Sequence, residues 1–165
     1  MEKRPIRIEG KIAYVPVVDG TEATIDAEDA ELVGKHNWCS NGRYVMTALP
    51  LGNGKQRTLL LHRLVMGEPE GKMVDHRNGN PLDNRKAALR LATNAENQYN
   101  RGAPANNTSS QKGVYWYKRD QKWLARIQHE GKSIHLGYFT VLEEAAKAYR
   151  EAAVKYHKEF ANFGY

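Results

Sequence analysis

The stretch VDHRNGNPLDNRKAALRLATNAENQYNR, residues 74–101, combines an Asp-His pair with many asparagines and arginines but has no long apolar run. Its pattern predicts a strand that ends at the Asp-His pair, a loop with a turn at Asn78-Gly79, and a second strand over 89–92. Thr93 and Glu96 have the spacing of a capping box, which predicts a helix after that strand. The local prediction is therefore strand, loop, strand, helix.

Such a unit can bring Asp75 and His76, at a strand end, close to Asn97 on the helix. Carboxylate and amide oxygens are ligands suited to Mg²⁺, and a neutral histidine beside them can take a proton from water. These are the parts needed for metal-assisted hydrolysis of a phosphodiester. The same spacing also fits a loop that uses Asn and Asp for turns and caps, with His76 as a surface residue, so the spacing alone leaves both interpretations open.

A family resemblance favours the first interpretation. LHRLV (61–65) followed by VDHRNGNPLDNR, ALRLAT and NAENQYNR resembles the HNH endonucleases of the phage and homing type, and the resemblance covers residues 20–101. It implies a ββα-metal core at about residues 73–101. It also implies that His76 is the general base and that Asp75 and Asn97 bind one Mg²⁺ or Mn²⁺ ion.

Ala88 departs from this family pattern, which usually has Asn before Leu89-Arg90. That Asn orients the base through a hydrogen bond, and an alanine methyl group cannot do so. We therefore expect the chain as written to cleave poorly, because the geometry of the base is less well fixed. Either Ala88 is an engineered inactivating substitution, or the site has decayed naturally with Asn84 as a poorly placed substitute. The intact remainder of the motif favours the first explanation.

The composition favours a polyanionic partner. The 165 residues carry a formal net charge of +6 and a pI of about 9.4. Cys39 is the only cysteine, which excludes an internal disulfide and suits a reducing cytoplasm. The sequence shows neither a signal peptide nor a transmembrane stretch. We expect a phage-encoded protein in the cytoplasm of a bacterial host, with double-stranded DNA as partner and with neither a membrane partner nor a small-molecule cofactor. The sequence does not indicate an oligomeric state.

The chain is predicted to have two domains. Residues 1–101 are assigned to the nuclease domain, residues 102–110 to a linker and residues 111–165 to a second domain. The linker lies within RGAPANNTSSQK, which is rich in Gly, Pro, Asn and Ser and has no apolar periodicity.

The first part of the nuclease domain is predicted to be β-rich. IRIEGKIAYVPVV (6–18) alternates apolar and polar residues, and DAEDAELVGK (26–35) predicts a short helix. RYVMTALPL (43–51) and RTLLLHRLV (57–65) predict two strands joined at Gly52-Asn53-Gly54.

The second domain is predicted to have three strands and one helix. The strands are GVYWYK, KWLARIQ and KSIHLGYF, and the helix follows a capping box at Thr140 and Glu143. Alternation places Trp116 and Trp123 on the face that packs on the helix. The opposite face is predicted to display Tyr115, Tyr117, Arg126, Gln128, Ser133 and His135, with Lys118, Arg119 and Lys132 at the turns and ends. Such a face could read DNA or could simply be solvated.

Here too there is a family resemblance. KGVYWYKRDQKWLARIQ, IHLGYF and EEAAKAYREAAVKYHKEFANF, within residues 109–163, resemble the DNA-binding domain of plant Apetala-type, ethylene-response-factor proteins. The resemblance implies a sheet that enters the DNA major groove with the displayed residues at the contacts. Several of these positions are usually Arg or Trp in the plant proteins, so the plant target sequence does not carry over.

The whole chain is thus expected to be α+β and to act as a site-specific DNA endonuclease of the homing type. The alternatives are a DNA-binding regulator with a decayed nuclease site and, less favoured, a nuclease directed at RNA. Duplex RNA fits poorly, because its major groove is too narrow for a sheet.

Overall fold

The computed structural model describes residues 4–104 and 106–163. Its contacts divide the chain into two compact units, Met1–Ala92 and Thr93–Tyr165. Both units combine helices with small antiparallel sheets, which confirms the predicted mixture of α and β structure. Among the described residues, no helix has the length and apolar character needed to cross a membrane.

The first unit is mainly β-structure. Its strands are β1 (Arg7–Glu9), β2 (Ile12–Pro16), β3 (Glu22–Asp26), β4 (Cys39–Ser40), β5 (Val45–Gly52), β6 (Lys55–Leu60), β7 (Met73–His76) and β8 (Leu89–Ala92), and its helices are α1 (Ala30–Val33) and α2 (Leu61–Val65). In the second unit the helices are α3 (Asn94–Tyr99) and α4 (Leu142–His157), and the strands are β9 (Val114–Tyr117), β10 (Lys122–His129) and β11 (Lys132–Phe139).

The strands β1, β2 and β3 form an antiparallel meander. Ala13 and Val15 of β2 and Ile25 of β3 are buried, because alternate residues of each strand face the core. Gly10, at φ +59°, makes the turn that divides the predicted β-run 6–18 into two strands. The short helix predicted at 26–35 is present as a 3-10 turn followed by α1.

The hairpin of β5 and β6 confirms the predicted junction at Gly52-Asn53-Gly54. The prediction of a strand over 57–65 is wrong in its second half, where LHRLV forms α2. Leu61, His62 and Val65 are buried together. That spacing fits one face of a helix, whereas a strand would have divided these residues between its two faces.

The strands β7 and β8 pair antiparallel, with Asp75 opposite Arg90 and His76 opposite Leu89. Their bounds match the predicted strands at 73–76 and 89–92. Val74 and Leu89 join the same apolar core as the meander and the β5–β6 hairpin. The first unit is therefore one folded body, and its predicted catalytic pair lies at the end of a buried strand.

Helix α3 begins with the predicted capping box, in which Thr93 and Glu96 bond each other's backbone N–H groups. Its contacts place it in the second unit, whereas the predicted nuclease domain, 1–101, includes it. The ring of Tyr99 stacks on His157 with centroids 3.9 Å apart, and its hydroxyl accepts from the backbone N–H of Glu130 at 2.9 Å. The boundary between compact units thus follows Ala92, before the predicted linker 102–110.

The sheet of the second unit has the order β11-β10-β9 and packs on α4. Val114, Ala125 and Ile127 from the sheet meet Tyr149 and Ala153 of the helix. The three predicted strands and the helix are therefore confirmed. The capping box predicted for α4 is wrong, because the helix begins one residue later with Val141 as N-cap, so Glu143 is no longer at the third helical position.

Trp116 also differs from its prediction as a core residue. Its side chain is 42% exposed and meets Trp123 edge to face, with centroids 4.9 Å apart. Trp123 is partly buried and packs against the core as predicted. Alternation correctly puts Trp116 beside Trp123, but Trp116 is the third residue of the four-residue strand β9 and stays exposed near the strand end.

Gly113 provides a test of packing in the second unit. A Cβ atom there would overlap the Tyr149 ring and lie 2.6 Å from the Arg126 carbonyl oxygen, whereas one at Gly131 would meet nothing within 4 Å. Both glycines have positive φ, so Gly131→Ala should cost about 1–2 kcal/mol through backbone strain. Gly113→Ala should cost about 1–3 kcal/mol more through overpacking. Thermal unfolding of the two variants measures the difference, and equal losses would contradict the packing described.

Candidate functional site

Asp75 and His76 are the last two residues of β7, and both are buried. The guanidinium of Arg90, directly opposite on β8, donates from Nε to Oδ2 of Asp75 at 2.9 Å. Its Nη2 lies 2.9 Å from the same oxygen. Arg90 is itself buried, so this is an ion pair with little solvent around it. The pairing compensates the Asp75 charge and fixes the direction of its carboxylate.

His76 lies among polar and aromatic neighbours. Its Nε2 is 3.2 Å from Oδ1 of Asn84, and its ring meets His62 edge to face with centroids 5.0 Å apart. Burial lowers the pKa of His76, although the hydrogen bond to Asn84 and the charge of Asp75 oppose this effect. The imidazole is therefore neutral at neutral pH, as a general base must be.

His62, on α2, supports the ring of His76 from one side and contacts Tyr44 on the other, with centroids 5.3 Å apart. Burial lowers its pKa to about 3, with smaller effects from His76 and Arg63. This histidine is therefore a neutral packing partner of His76. It belongs to the family pattern LHRLV, but the sequence alone does not predict its contact with His76.

The loop between β7 and β8 is anchored to the meander. Thr24 of β3 donates its N–H to the Leu82 carbonyl at 2.8 Å and accepts from the Asn84 N–H at 2.7 Å. Farther along the loop, Lys86 N–H donates to Asp26 Oδ2 at 2.8 Å. The loop that carries Asn84 is thus fixed by a strand about sixty residues earlier in the chain.

Ala88 lies at the end of this loop, in a 3-10 turn before β8. Its carbonyl accepts from the N–H of Arg77 at 2.9 Å, one step beyond the pairing of His76 with Leu89. Position 88 is therefore next to the predicted base, where the resemblance expects an orienting Asn. In this chain Asn84 is the amide that bonds His76, so the expectation that Asn84 is poorly placed is wrong.

Asn97, the other predicted metal ligand, lies half-buried on α3. Because α3 belongs to the second unit, the role of Asn97 beside Asp75 and His76 stays a prediction.

The donor set fits a hard divalent cation. Asp75 would contribute a carboxylate whose direction is fixed by Arg90, and Asn97 is predicted to contribute an amide oxygen. Within residues 4–104 and 106–163, no three His, Cys, Asp or Glu side chains are close enough to form a metal-binding group. A site with few protein oxygens suits Mg²⁺, which keeps several water ligands, better than it suits a closed structural zinc site.

The predicted DNA-contacting residues come together on the outer face of the second sheet. Arg126 pairs with His135 and Gln128 with Ser133 across β10 and β11, and the Arg126 guanidinium lies 4.6 Å from the Tyr115 ring centroid. Tyr117 lies on the same face, at the far end of β9. Lys118, Arg119 and Lys132 are exposed at the turns and strand ends.

Tyr138 also lies on this face, although the sequence did not predict it there. Its side chain is 44% exposed and contacts Tyr117 and His135, at centroid distances of 5.4 and 4.9 Å. Strict alternation from His135 would place Tyr138 on the helix side. A β-bulge opposite Ala125 and Arg126 shifts the register by one residue, and this shift moves Tyr138 to the outer face. Gly137 at the bulge is the only signal in the sequence.

Comparison with known families gives two matches along the chain. The model of the HNH endonuclease family matches residues 60–99, and the model of the AP2 domain matches residues 109–159. The first match contains α2, β7, β8 and α3, and the second contains the sheet of β9–β11 with all of α4. No solved structure matches the chain.

Individual relatives agree with these matches. A mimivirus HNH endonuclease of Acanthamoeba polyphaga mimivirus is 26% identical over 143 residues, which are 86% of this chain and 74% of that protein. The AP2-like ethylene-responsive transcription factor TOE2 of Arabidopsis thaliana is 39% identical over 56 residues, but these are only 12% of the plant protein. Protein 3.8 of Escherichia phage T7 is 38% identical over 95 residues, or 58% of this chain. Because these residues also cover 78% of Protein 3.8, the chain belongs to the family of that phage protein, and it joins an HNH endonuclease domain to an AP2 domain.

Proposed function

We propose that this protein is a site-specific DNA endonuclease of the homing type, which hydrolyses phosphodiester bonds with one Mg²⁺ or Mn²⁺ ion. The observation that carries the proposal is the buried pair at the end of β7, in which neutral His76 is held by Asn84 beside the paired carboxylate of Asp75. Asp75 and His76 lie within residues 60–99, the part of the chain that the HNH endonuclease family matches. This arrangement gives the base a fixed direction and a protonation state suited to accept a proton.

In this proposal the residues of the chain divide the chemistry. His76 takes the proton from the attacking water, and Asp75 and Asn97 hold the cation. Arg90 keeps the Asp75 carboxylate oriented. When bound, the divalent ion would stabilise the negative charge that develops on the phosphate and on the leaving oxygen. These steps involve the phosphodiester alone, so base sequence must be read elsewhere.

The AP2 domain is proposed to supply this reading. Its outer sheet face has Arg and Gln side chains that can bond base edges in the major groove, with lysines at the margins for phosphate. Tethering the reader to the nuclease raises the local concentration of the second contact. A net charge of +6 agrees with a polyanionic partner.

A DNA-binding regulator with a decayed nuclease site is the second candidate. The replacement of the usual Asn by Ala88 favours it, because that residue normally orients the base. It predicts DNA binding without cleavage, whichever residue is at position 88.

Plasmid cleavage with Mg²⁺ tests the two functions. The chain, Ala88→Asn and His76→Ala should be compared at equal concentration. We expect cleavage by the first two forms and its loss in His76→Ala, because that variant removes the base but leaves the DNA-reading face intact. The comparison of the first two also measures the impairment that the sequence predicts for Ala88.

The gel shift of duplex DNA completes this test. If all three forms shift DNA and none cleaves it with Mg²⁺ or Mn²⁺, the nuclease proposal is wrong and the regulator is correct. Competition with duplex RNA in the same gels excludes or identifies an RNA target.

A second prediction concerns sequence reading. Arg126→Ala should cost about 1–3 kcal/mol of discrimination between preferred and other duplexes, because Arg126 occupies the middle of the outer face. Lys147→Ala, on the exposed side of α4, removes the same charge without touching that face. Selection from a randomised duplex pool should yield a weaker consensus for Arg126→Ala and an unchanged one for Lys147→Ala. Equal effects of the two changes would contradict the assigned face.

A third prediction concerns the ion pair between Arg90 and Asp75, the proposed metal ligand. Arg90→Met should destabilise the protein by about 3–5 kcal/mol, because it leaves the buried Asp75 carboxylate without its cation. Added Mg²⁺ should then raise the melting temperature of Arg90→Met more than that of the unmodified chain, since bound metal replaces the lost charge. Arg57→Met, which breaks an exposed pair with Glu68, should have little effect with or without metal. A metal response equal in all three forms would argue against Asp75 as a ligand.

A further inference from the structure

Asn84 is a fully enclosed amide in the loop between β7 and β8, with 1% of its surface exposed. A buried amide needs hydrogen-bond partners, since leaving its groups unpaired costs free energy. Its Nδ2 donates to the Pro81 carbonyl at 3.1 Å, and its Oδ1 faces His76 Nε2 at 3.2 Å. The side chain therefore connects the turn of its own loop with the predicted base.

These two contacts fix which way the amide points. If the group were flipped, its oxygen would face the Pro81 carbonyl, and two acceptors would be in contact. The oxygen must therefore face His76. Because this oxygen can only accept, Nε2 is the nitrogen of His76 that carries the proton.

In the neutral imidazole the lone pair then belongs to the other ring nitrogen, Nδ1. A second contact on Nδ1 is compatible with this assignment as long as Nδ1 accepts. The edge-to-face contact with His62, at 5.0 Å between centroids, restrains the ring from the side. Tautomer and ring direction are thus set by two different neighbours.

The backbone of Asn84 is also fixed, so that its side chain can orient His76. Its backbone N–H donates to the Thr24 carbonyl at 2.7 Å, and Thr24 pairs with the loop on both sides of Asp83. The loop position therefore depends on β3 of the meander as well as on its own hairpin. A side chain on such a backbone keeps its direction better than one on a mobile loop.

We propose that Asn84 is the positioning residue of His76, which keeps the proton on Nε2 so that Nδ1 can accept the proton of the attacking water. The inference rests on the nuclease function proposed above. It assigns to Asn84 the service that the family pattern assigns to position 88. It follows that the chain cleaves DNA with Ala88 in place and gains little from Ala88→Asn.

The tautomer can be measured directly. Two-bond ¹H–¹⁵N correlation spectra of the full chain, labelled with ¹⁵N-histidine, report which nitrogen of each neutral ring is protonated. The His76 signals are assigned by their absence in His76→Gln. We expect the Nε2–H form in the unmodified chain and a mixture of tautomers in Asn84→Ala. A proton on Nδ1 in the unmodified chain would overturn the inference, without any need for a variant to fold.

Cleavage kinetics provide the functional half of the test. Asn84→Ala should lower kcat by about 10–100-fold, a loss comparable with that caused by removing the hydrogen-bonding partner that orients a metal ligand. KM for DNA should stay unchanged, because Asn84 is buried in the first unit and is not part of the DNA-reading sheet. Asn78→Ala is the matched control, since Asn78 is an exposed amide of the same loop that bonds only the backbone of Asn80. It should change neither the tautomer nor kcat.

The outcomes separate this inference from the proposed function. If the chain cleaves and Asn84→Ala changes neither the tautomer nor kcat, the positioning role is wrong while the nuclease function stands. If no form cleaves but Asn84→Ala still changes the His76 tautomer, the nuclease proposal fails and the control of the ring by Asn84 stands.

Discussion

The backbone pairing of Thr24 with Leu82 and Asn84 is the constraint on which the rest of the first unit depends. A loop between two short strands would by itself be mobile and open to water. Here its backbone is tied to a strand of another sheet, so its position is set by the whole unit. The N-terminal meander thus has a direct part in the site, because it determines where the amide beside His76 lies.

The site concentrates polar groups in a place where they are costly to bury. His62, His76, Asn84, Asp75 and Arg90 are all buried, and their mutual contacts offset this cost. The arrangement is therefore cooperative, since removing one group leaves another buried group unsatisfied. In the proposed nuclease, such a cluster would keep the base and its neighbours in one direction, which stability alone would not require.

Local features could be predicted from the sequence to within a residue or so. The strands at 73–76 and 89–92 and the cap at Thr93 follow from short-range patterns, and they place Asp75 and His76 correctly at a strand end. The contact of Asn84 with His76 could not be predicted, because the loop position depends on pairing with distant Thr24. Tyr138 was missed for a different reason, since one bulge reverses the alternation beyond it. The length of the apolar run LLLHRLV fits either a strand or a short helix. Its second part forms α2, which buries Leu61, His62 and Val65 on one face.

The membership of α3 has a consequence for how such chains can exchange their parts. The helix carries Asn97, yet Tyr99 stacks on His157, and Lys112 and Asn162 donate to the carbonyls of Tyr99 and Asn100. A recombination joint within the predicted linker, 102–110, would separate α3 from all of these partners. A joint just after Ala92 would keep them together, but it would move Asn97 with the incoming reader. In the proposed endonuclease, new DNA specificity could therefore be acquired cleanly only from a donor whose AP2 domain preserves the surface on which α3 packs.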